Sequence, residues 1–114
     1  MRLTIHRGTH EIGGSCVELC SASGRTRIVV DVGMPLVNAE GSSFEWREYK
    51  NLPIEQLLEQ RTLPRVEGLY AHQSPSVSAV ILSHAHQDHY GFLRSAYDTR
   101  RGLWPGVAGG ETCL

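Results

Sequence analysis

Three of the six histidines in this 114-residue chain fall within six consecutive residues, His84-Ala85-His86-Gln87-Asp88-His89, together with one carboxylate. An apolar run, Ala79-Val80-Ile81-Leu82, leads into Ser83 and the cluster, and Gly91 closes it. The run reads as a short buried strand, so the polar groups sit at its C-terminal end. Open α/β sheets place their binding sites there. In extended backbone, residues two apart point the same way and lie about 6.6 Å apart. His84 and His86 can then bring two imidazoles to one ion at about 2.0–2.1 Å, whereas on a helix the pair would diverge. If the chain turns next, Asp88 and His89 offer a carboxylate oxygen and a further imidazole nitrogen to a neighbouring ion. Ligands of this kind suit zinc first, with iron or manganese as alternatives. The plain alternative is a solvated polar loop that happens to be rich in histidine. A lone histidine would favour that alternative; a spaced group of four candidate ligands does not.

The pattern His84-x-His86-x-Asp88-His89, entered from an apolar strand and closed by Gly91, resembles the signature of the metallo-β-lactamase superfamily. The resemblance implies an α/β (α+β) fold: the N-terminal half of an αββα sandwich, mostly antiparallel strands with flanking helices. It covers residues 1–97, with an irregular tail over 98–114. It also implies two zinc ions in the complete fold, His84 and His86 on the first and Asp88 and His89 on the second, with Asp88 as the candidate catalytic carboxylate. The implied chemistry is hydrolysis by a metal-activated water. In that family an Asp in the place of Asp31, which ends an apolar strand before Gly33, steadies the metal loop without binding the metal. A carboxylate there can orient histidines or hold backbone N–H groups, although Asp31-Val32-Gly33 also suits an ordinary turn.

The opening Glu11-Ile12-Gly13-Gly14, then a strand, then a strand ending Asp31-Val32-Gly33, is similar to the ribonuclease J and β-CASP nuclease branch. Those enzymes cut RNA or DNA phosphodiesters. Two other readings compete. One is a thioester or lactone hydrolase of the same fold, with Phe44, Trp46 and Tyr49 at its entrance. The other is a non-catalytic metal-binding fragment. The family's later ligands, two histidines and a bridging Asp, have no counterpart after His89: no histidine follows it, and Asp98 is the only later Asp. The chain therefore reads as a fragment, a truncated frame or one piece of a split protein. A second copy or a second chain would supply the missing half, and without it the sheet's inner face would stay exposed.

The positioning elements follow from periodicity. Residues 2–6 alternate polar and apolar, with Leu3 and Ile5 on one face, and read as a strand. Residues 8–14 form a turn with three glycines, taken as a strand connection because no Gly-Lys-Ser/Thr follows. Residues 15–19 and 27–32 read as a strand hairpin around Ser21-Ala22-Ser23-Gly24. A short helix is expected over 44–49. A firmer one spans 53–60, opened by Pro53, with Ile54, Leu57, Leu58 and Arg61 on one face and Glu55 and Glu59 in solvent. The fourth strand covers 76–83, and a helix starts at Phe92. His6 and His72 are lone histidines and take no role, and His10 in the glycine-rich turn is not assigned.

Composition narrows the classes. The hydrophobic share of 40% and charged share of 20% fit a globular chain of one small domain. A net charge of −1 carries no electrostatic case for nucleic acid and none against a local basic groove. Cys16 and Cys20, four apart on one strand, lie about 13 Å apart by rise, beyond the reach of a disulfide. Unbridged thiols, no apolar leader after Met1 and no bilayer-length run point to a cytoplasmic protein without membrane association.

Overall fold

The computed structural model describes residues 1–10, 13–70, 73–93 and the strand 107–108. Five strands form one sheet in chain order: β1 (Arg2–Arg7), β2 (Cys16–Cys20), β3 (Arg27–Val30), β4 (Ala79–Ile81) and β5 (Val107–Ala108). The first two neighbouring pairs, β1·β2 and β2·β3, are antiparallel, as the short connections between them require. The β3·β4 and β4·β5 pairs are parallel. The sheet is thus mixed, and the expectation of mostly antiparallel strands is corrected. The physical reason is the long crossover between β3 and β4, which returns the chain to start β4 at the same end as β3. The result is a small α+β domain with short helices on that crossover: α1 (Trp46–Tyr49) and α2 (Ile54–Glu59).

The register sorts the side chains. Cys16, Glu18, Cys20, Val29 and Val80 point to a covered face. There Cys16, Val29 and Val80 join Leu57, Leu63, Val66, Leu69, Tyr70, Val77, Phe92 and Leu93 in the core. Cys16 and Cys20 are buried and unbridged, and burial pushes the Cys16 thiol up to about 12. The opposite face carries two cross-strand rows, Leu3–Leu19–Ile28–Ala79 and Ile5–Val17–Val30–Ile81. Every residue in them is apolar and none is buried; Leu3 is 58% and Ile5 49% exposed. The described residues leave this face open, as expected for an unpartnered sheet.

The helices begin and end where local chemistry dictates. Pro53, at φ −57°, leads the chain into α2, and Leu57 is its buried residue. Arg61 does not share that face: its φ of 58° ends the helical path, and the residue is exposed. Phe44 stacks on Tyr49 at 4.6 Å and meets Phe92 edge-on. These aromatics pack the crossover onto the core. The expected helix starting at Phe92 lies mostly outside the described residues, as do the tail 98–114 (save 107–108), His72 and the Glu11-Ile12 half of the glycine turn.

Two buried polar clusters lock the frame. The Arg7 guanidinium donates from Nη1 to the carbonyls of Gly33 at 2.6 Å and Thr62 at 2.7 Å, and from Nη2 to that of Arg61. It thereby ties β1 to the bend after α2 and to the segment that follows Asp31. Glu18 accepts from Arg27 Nε at 2.6 Å, and its other oxygen lies 2.8 Å from His6 Nε2. The hydrogen bond from Arg27 holds the Glu18 carboxyl down at about 2, outweighing the upward push of burial, with His6 helping. Because that value is depressed, the stabilisation is full above the unfolded carboxyl's 4.5 and is lost as pH falls from there toward 2. Urea unfolding should show wild type losing up to about 3 kcal/mol over that range, with a flatter profile for Glu18→Gln. Equal slopes would remove the cluster as the acid-sensitive element.

Candidate metal centre

The His cluster sits at the C-terminal end of β4, as its apolar lead-in predicts. The chain bends over residues 83–85, and His86, extended at φ −103° and ψ 140°, precedes a single helical turn, α3 (Gln87–Tyr90). This turn carries Asp88 and His89 and ends at Gly91. The bend and the turn bring the rings together. The His84 ring centroid lies 4.4 Å from that of His86 and 3.9 Å from that of His89. His84 and His86 are exposed, while Asp88 and His89 are partly covered.

Backbone contacts hold the turn in place. Val32 N donates to His89 O at 3.1 Å, and Met34 N donates to Asp88 O at 2.9 Å. Gly14 N in turn donates to Met34 O at 3.0 Å. A Cβ on Gly14 would fall 1.6 Å from Asp88 O, and one on Gly33 would fall 2.0 Å from Gly14 O. The glycine-rich turn is therefore more than a connection: Gly14 and Gly33 let three backbones close on the Asp88–His89 turn. Sequence reading missed this role. The Trp46 indole adds a tie from α1, donating to Gly91 O at 3.0 Å.

Asp31 lies under the cluster, 1% exposed, with φ 61°. This left-handed conformation, which Asp and Asn tolerate better than most residues, stops β3 at Val30. The Asp31 N–H still donates to Ile81 O at 2.8 Å, so the residue stays registered on β4. Its Oδ1 accepts from Ser83 N at 2.7 Å. Its Oδ2 accepts from Ser83 Oγ at 2.6 Å and sits 2.8 Å from His89 Nδ1. Burial alone would raise this carboxyl; the bonds from Ser83 and His89 outweigh it and hold the group below the ordinary Asp value. Asp31 is thus an ionised acceptor, and His89 Nδ1 must be the N–H that donates to it.

That assignment leaves His89 Nε2 as a lone pair unless the ring is doubly protonated. It lies 3.3 Å from Asp88 Oδ2. Two acceptors this close need a proton or a cation between them. Two ligand atoms each about 2.0–2.1 Å from a tetrahedral zinc also lie about 3.3 Å apart. The donor set therefore fits zinc in kind and, for this pair, in spacing. Among the described residues, no three His, Cys, Asp or Glu groups are arranged to hold one ion as they stand.

An open cavity of about 900 Å³ lies elsewhere, beside β1 and the bend after α2. Its lining includes Arg7, Arg61, Arg65, Phe44 and Tyr49, and none of His84, His86, Asp88 or His89. Fold and cluster together define a small α+β domain with a His/Asp loop mounted on the C-terminal end of β4. No protein-family model, curated protein or solved structure matches the chain.

Proposed function

We propose that residues 84–89 form a zinc-binding loop of a metal-dependent hydrolase of the metallo-β-lactamase type. The observation that carries the reading is the 3.3 Å approach of His89 Nε2 to Asp88 Oδ2, with His89 Nδ1 already engaged by Asp31. In this reading Asp88 and His89 hold one ion and His84 and His86 another, with manganese or iron able to replace zinc. When bound, the metal supplies a water acidic enough to attack near neutral pH. The chain's own residues do the rest. Asp31 aims His89, the backbone of Val32 and Met34 fixes the turn, and Asp88 holds negative charge beside the ions.

Phosphodiester hydrolysis of RNA or DNA is the preferred activity. Arg61 and Arg65, both exposed at the cavity rim, supply cations of the kind that position a phosphate backbone. The thioester or lactone reading has less support, because Trp46 is spent on Gly91 and does not line the cavity. A two-metal clamp needs more ligands than this loop offers, and a second copy or second chain would bring them. The open apolar rows on β1–β4 support such a partner layer. A cytoplasmic location belongs to the same reading, supported by the unbridged Cys16 and Cys20. Among the described residues no helix is long and apolar enough to cross a membrane.

Elemental analysis and calorimetric zinc titration test the core of the proposal. Wild type is expected to bind zinc, and His84→Ala and His89→Ala to lose at least about 10-fold in affinity, the lower bound set by losing a mere orienting group. Equal metal content in wild type and both variants would sink the site assignment. Metal-dependent cleavage of single-stranded RNA, absent from the same variants, would then separate the nuclease from the small-molecule hydrolase.

A further inference from the structure

Ser83 stands between Asp31 and His84. Its Oγ is 2.6 Å from Asp31 Oδ2 and 2.8 Å from His84 Nδ1. A hydroxyl has one proton to give and lone pairs with which to accept. Asp31 is an ionised carboxylate and can only accept, so the Ser83 proton goes to it. Ser83 Oγ then faces His84 as an acceptor, and His84 Nδ1 must carry a hydrogen. Proton counting along the chain Asp31–Ser83–His84 thus leads to one tautomer.

From this we infer that Ser83 is a positioning residue: it fixes His84 as the Nδ1–H tautomer and leaves Nε2 as its bare, metal-facing nitrogen. Asp31 does the same for His89 directly, through the 2.8 Å contact to Nδ1. One buried carboxylate therefore sets two histidines, one by contact and one through a hydroxyl. His86 differs: its carbonyl accepts from His89 N, but its ring has no hydrogen-bond partner among the described residues, so its tautomer is set by nothing comparable. The tautomer assignment rests on the hydrogen-bond geometry and on Asp31 acting as acceptor; its meaning for metal binding rests on the zinc-loop reading proposed above.

The arrangement has a use. A neutral imidazole free in water exchanges between two tautomers, and only a nitrogen without a hydrogen can bind a metal. Fixing the hydrogen on Nδ1 removes the cost of moving it when the ion arrives. The backbone bond from Ser83 N to Asp31 Oδ1 does not depend on the hydroxyl. Loss of the hydroxyl should therefore release His84 while leaving the Asp31–His89 contact in place.

Long-range proton–nitrogen correlation NMR on the metal-free, nitrogen-15-labelled full chain at alkaline pH reads each ring directly. In wild type, His84 and His89 should each show a protonated Nδ1 and a bare Nε2, and His86 an average of both forms. Ser83→Ala should shift His84 alone to an average, and Ser83→Thr should restore it. A protonated Nε2 on His84 in wild type would overturn the inference, as would a His84 signal unchanged by Ser83→Ala. If Ser83→Ala does not fold, the wild-type spectrum decides alone. Zinc titration of the same samples should show about a 10-fold loss for Ser83→Ala and recovery in Ser83→Thr. A wild type that shows the fixed tautomers yet binds no zinc would refute the metal loop while leaving the Ser83 assignment standing.

Discussion

Replacing Asp31 with asparagine is expected to cost about 10–100-fold in zinc affinity, although the two side chains have nearly the same shape. Asparagine can keep its oxygen toward Ser83 N, where Asp31 Oδ1 now accepts at 2.7 Å. Its NH₂ group then replaces Oδ2, the atom that receives Ser83 Oγ and His89 Nδ1. An amide nitrogen donates, so every proton in the chain must reverse. Ser83 Oγ would accept from the amide and donate to His84 Nδ1. His89 Nδ1 would likewise become an acceptor. Both rings would carry their hydrogen on Nε2, the nitrogen needed for the ion. Asparagine tolerates φ 61° about as well as aspartate, so the backbone is not the cause of the loss. Unfolding in urea with chelator present should show a further loss of about 2–3 kcal/mol, the scale for hydrogen bonds to a charged group. Asp31→Ala should be worse, because a left-handed alanine adds about 1–2 kcal/mol of strain. Calorimetric zinc titration of the asparagine variant settles the point. Parent-like affinity would take Asp31 out of the site.

The same residues show what a linear reading can and cannot see. The strand periods over 2–6, 15–19 and 27–32 are local, and the structure keeps them with shifts of one or two residues. The helix over 53–60 is equally local, since Pro53 and the spacing of Ile54, Leu57 and Leu58 state it outright. The end of β3 moved from Val32 to Val30 because Asp31 leaves extended geometry, and nothing in Val-Val-Asp-Val announces a positive φ. The parallel β3·β4 pairing was not legible, because its partners are separated by the whole crossover. Within the loop, the candidate residue types and their spacing were visible, and Asp31, singled out as a residue that could steady the loop, does contact Ser83 and His89. Ser83 was not singled out, because a serine before a histidine has meaning only once Asp31 is found beneath both. Phe44, Trp46 and Tyr49 could be read as packing or as an entrance; all three pack against the core, Trp46 is bonded to Gly91, and Phe44 and Tyr49 also line the open cavity.

Gly14 and Gly33 were the deepest omission, and they carry the second large effect. Gly14→Ala should unfold the site or the domain, with a loss of about 3 kcal/mol or more, at the upper end of overpacking costs. A Cβ on Gly14 meets Asp88 O at 1.6 Å and Asp88 C at 2.5 Å. These are main-chain atoms and cannot rotate away, so the α3 turn must retreat by more than an ångström. Retreat breaks the Met34–Asp88 and Val32–His89 hydrogen bonds that fix the turn. It also separates the Asp88–His89 pair from the Asp31 contact that orients it. Gly33→Ala acts on the same stack from the other side, striking Gly14 O at 2.0 Å and Ser15 O at 2.5 Å. The informative comparison is Gly24→Ala and Gly41→Ala. Their φ values, 75° and 87°, disfavour alanine, but a Cβ there meets nothing within 4 Å. Those two should lose only about 1–2 kcal/mol and keep parent-like zinc binding. Urea unfolding and zinc titration of the four variants separate backbone strain from close approach. Losses at Gly14 and Gly33 no larger than those at Gly24 and Gly41 would mean that close backbone approach does not position the loop. A severe loss confined to Gly14 and Gly33 would mean that the loop is positioned by main chain pressed against main chain, with the side chains left free to bind.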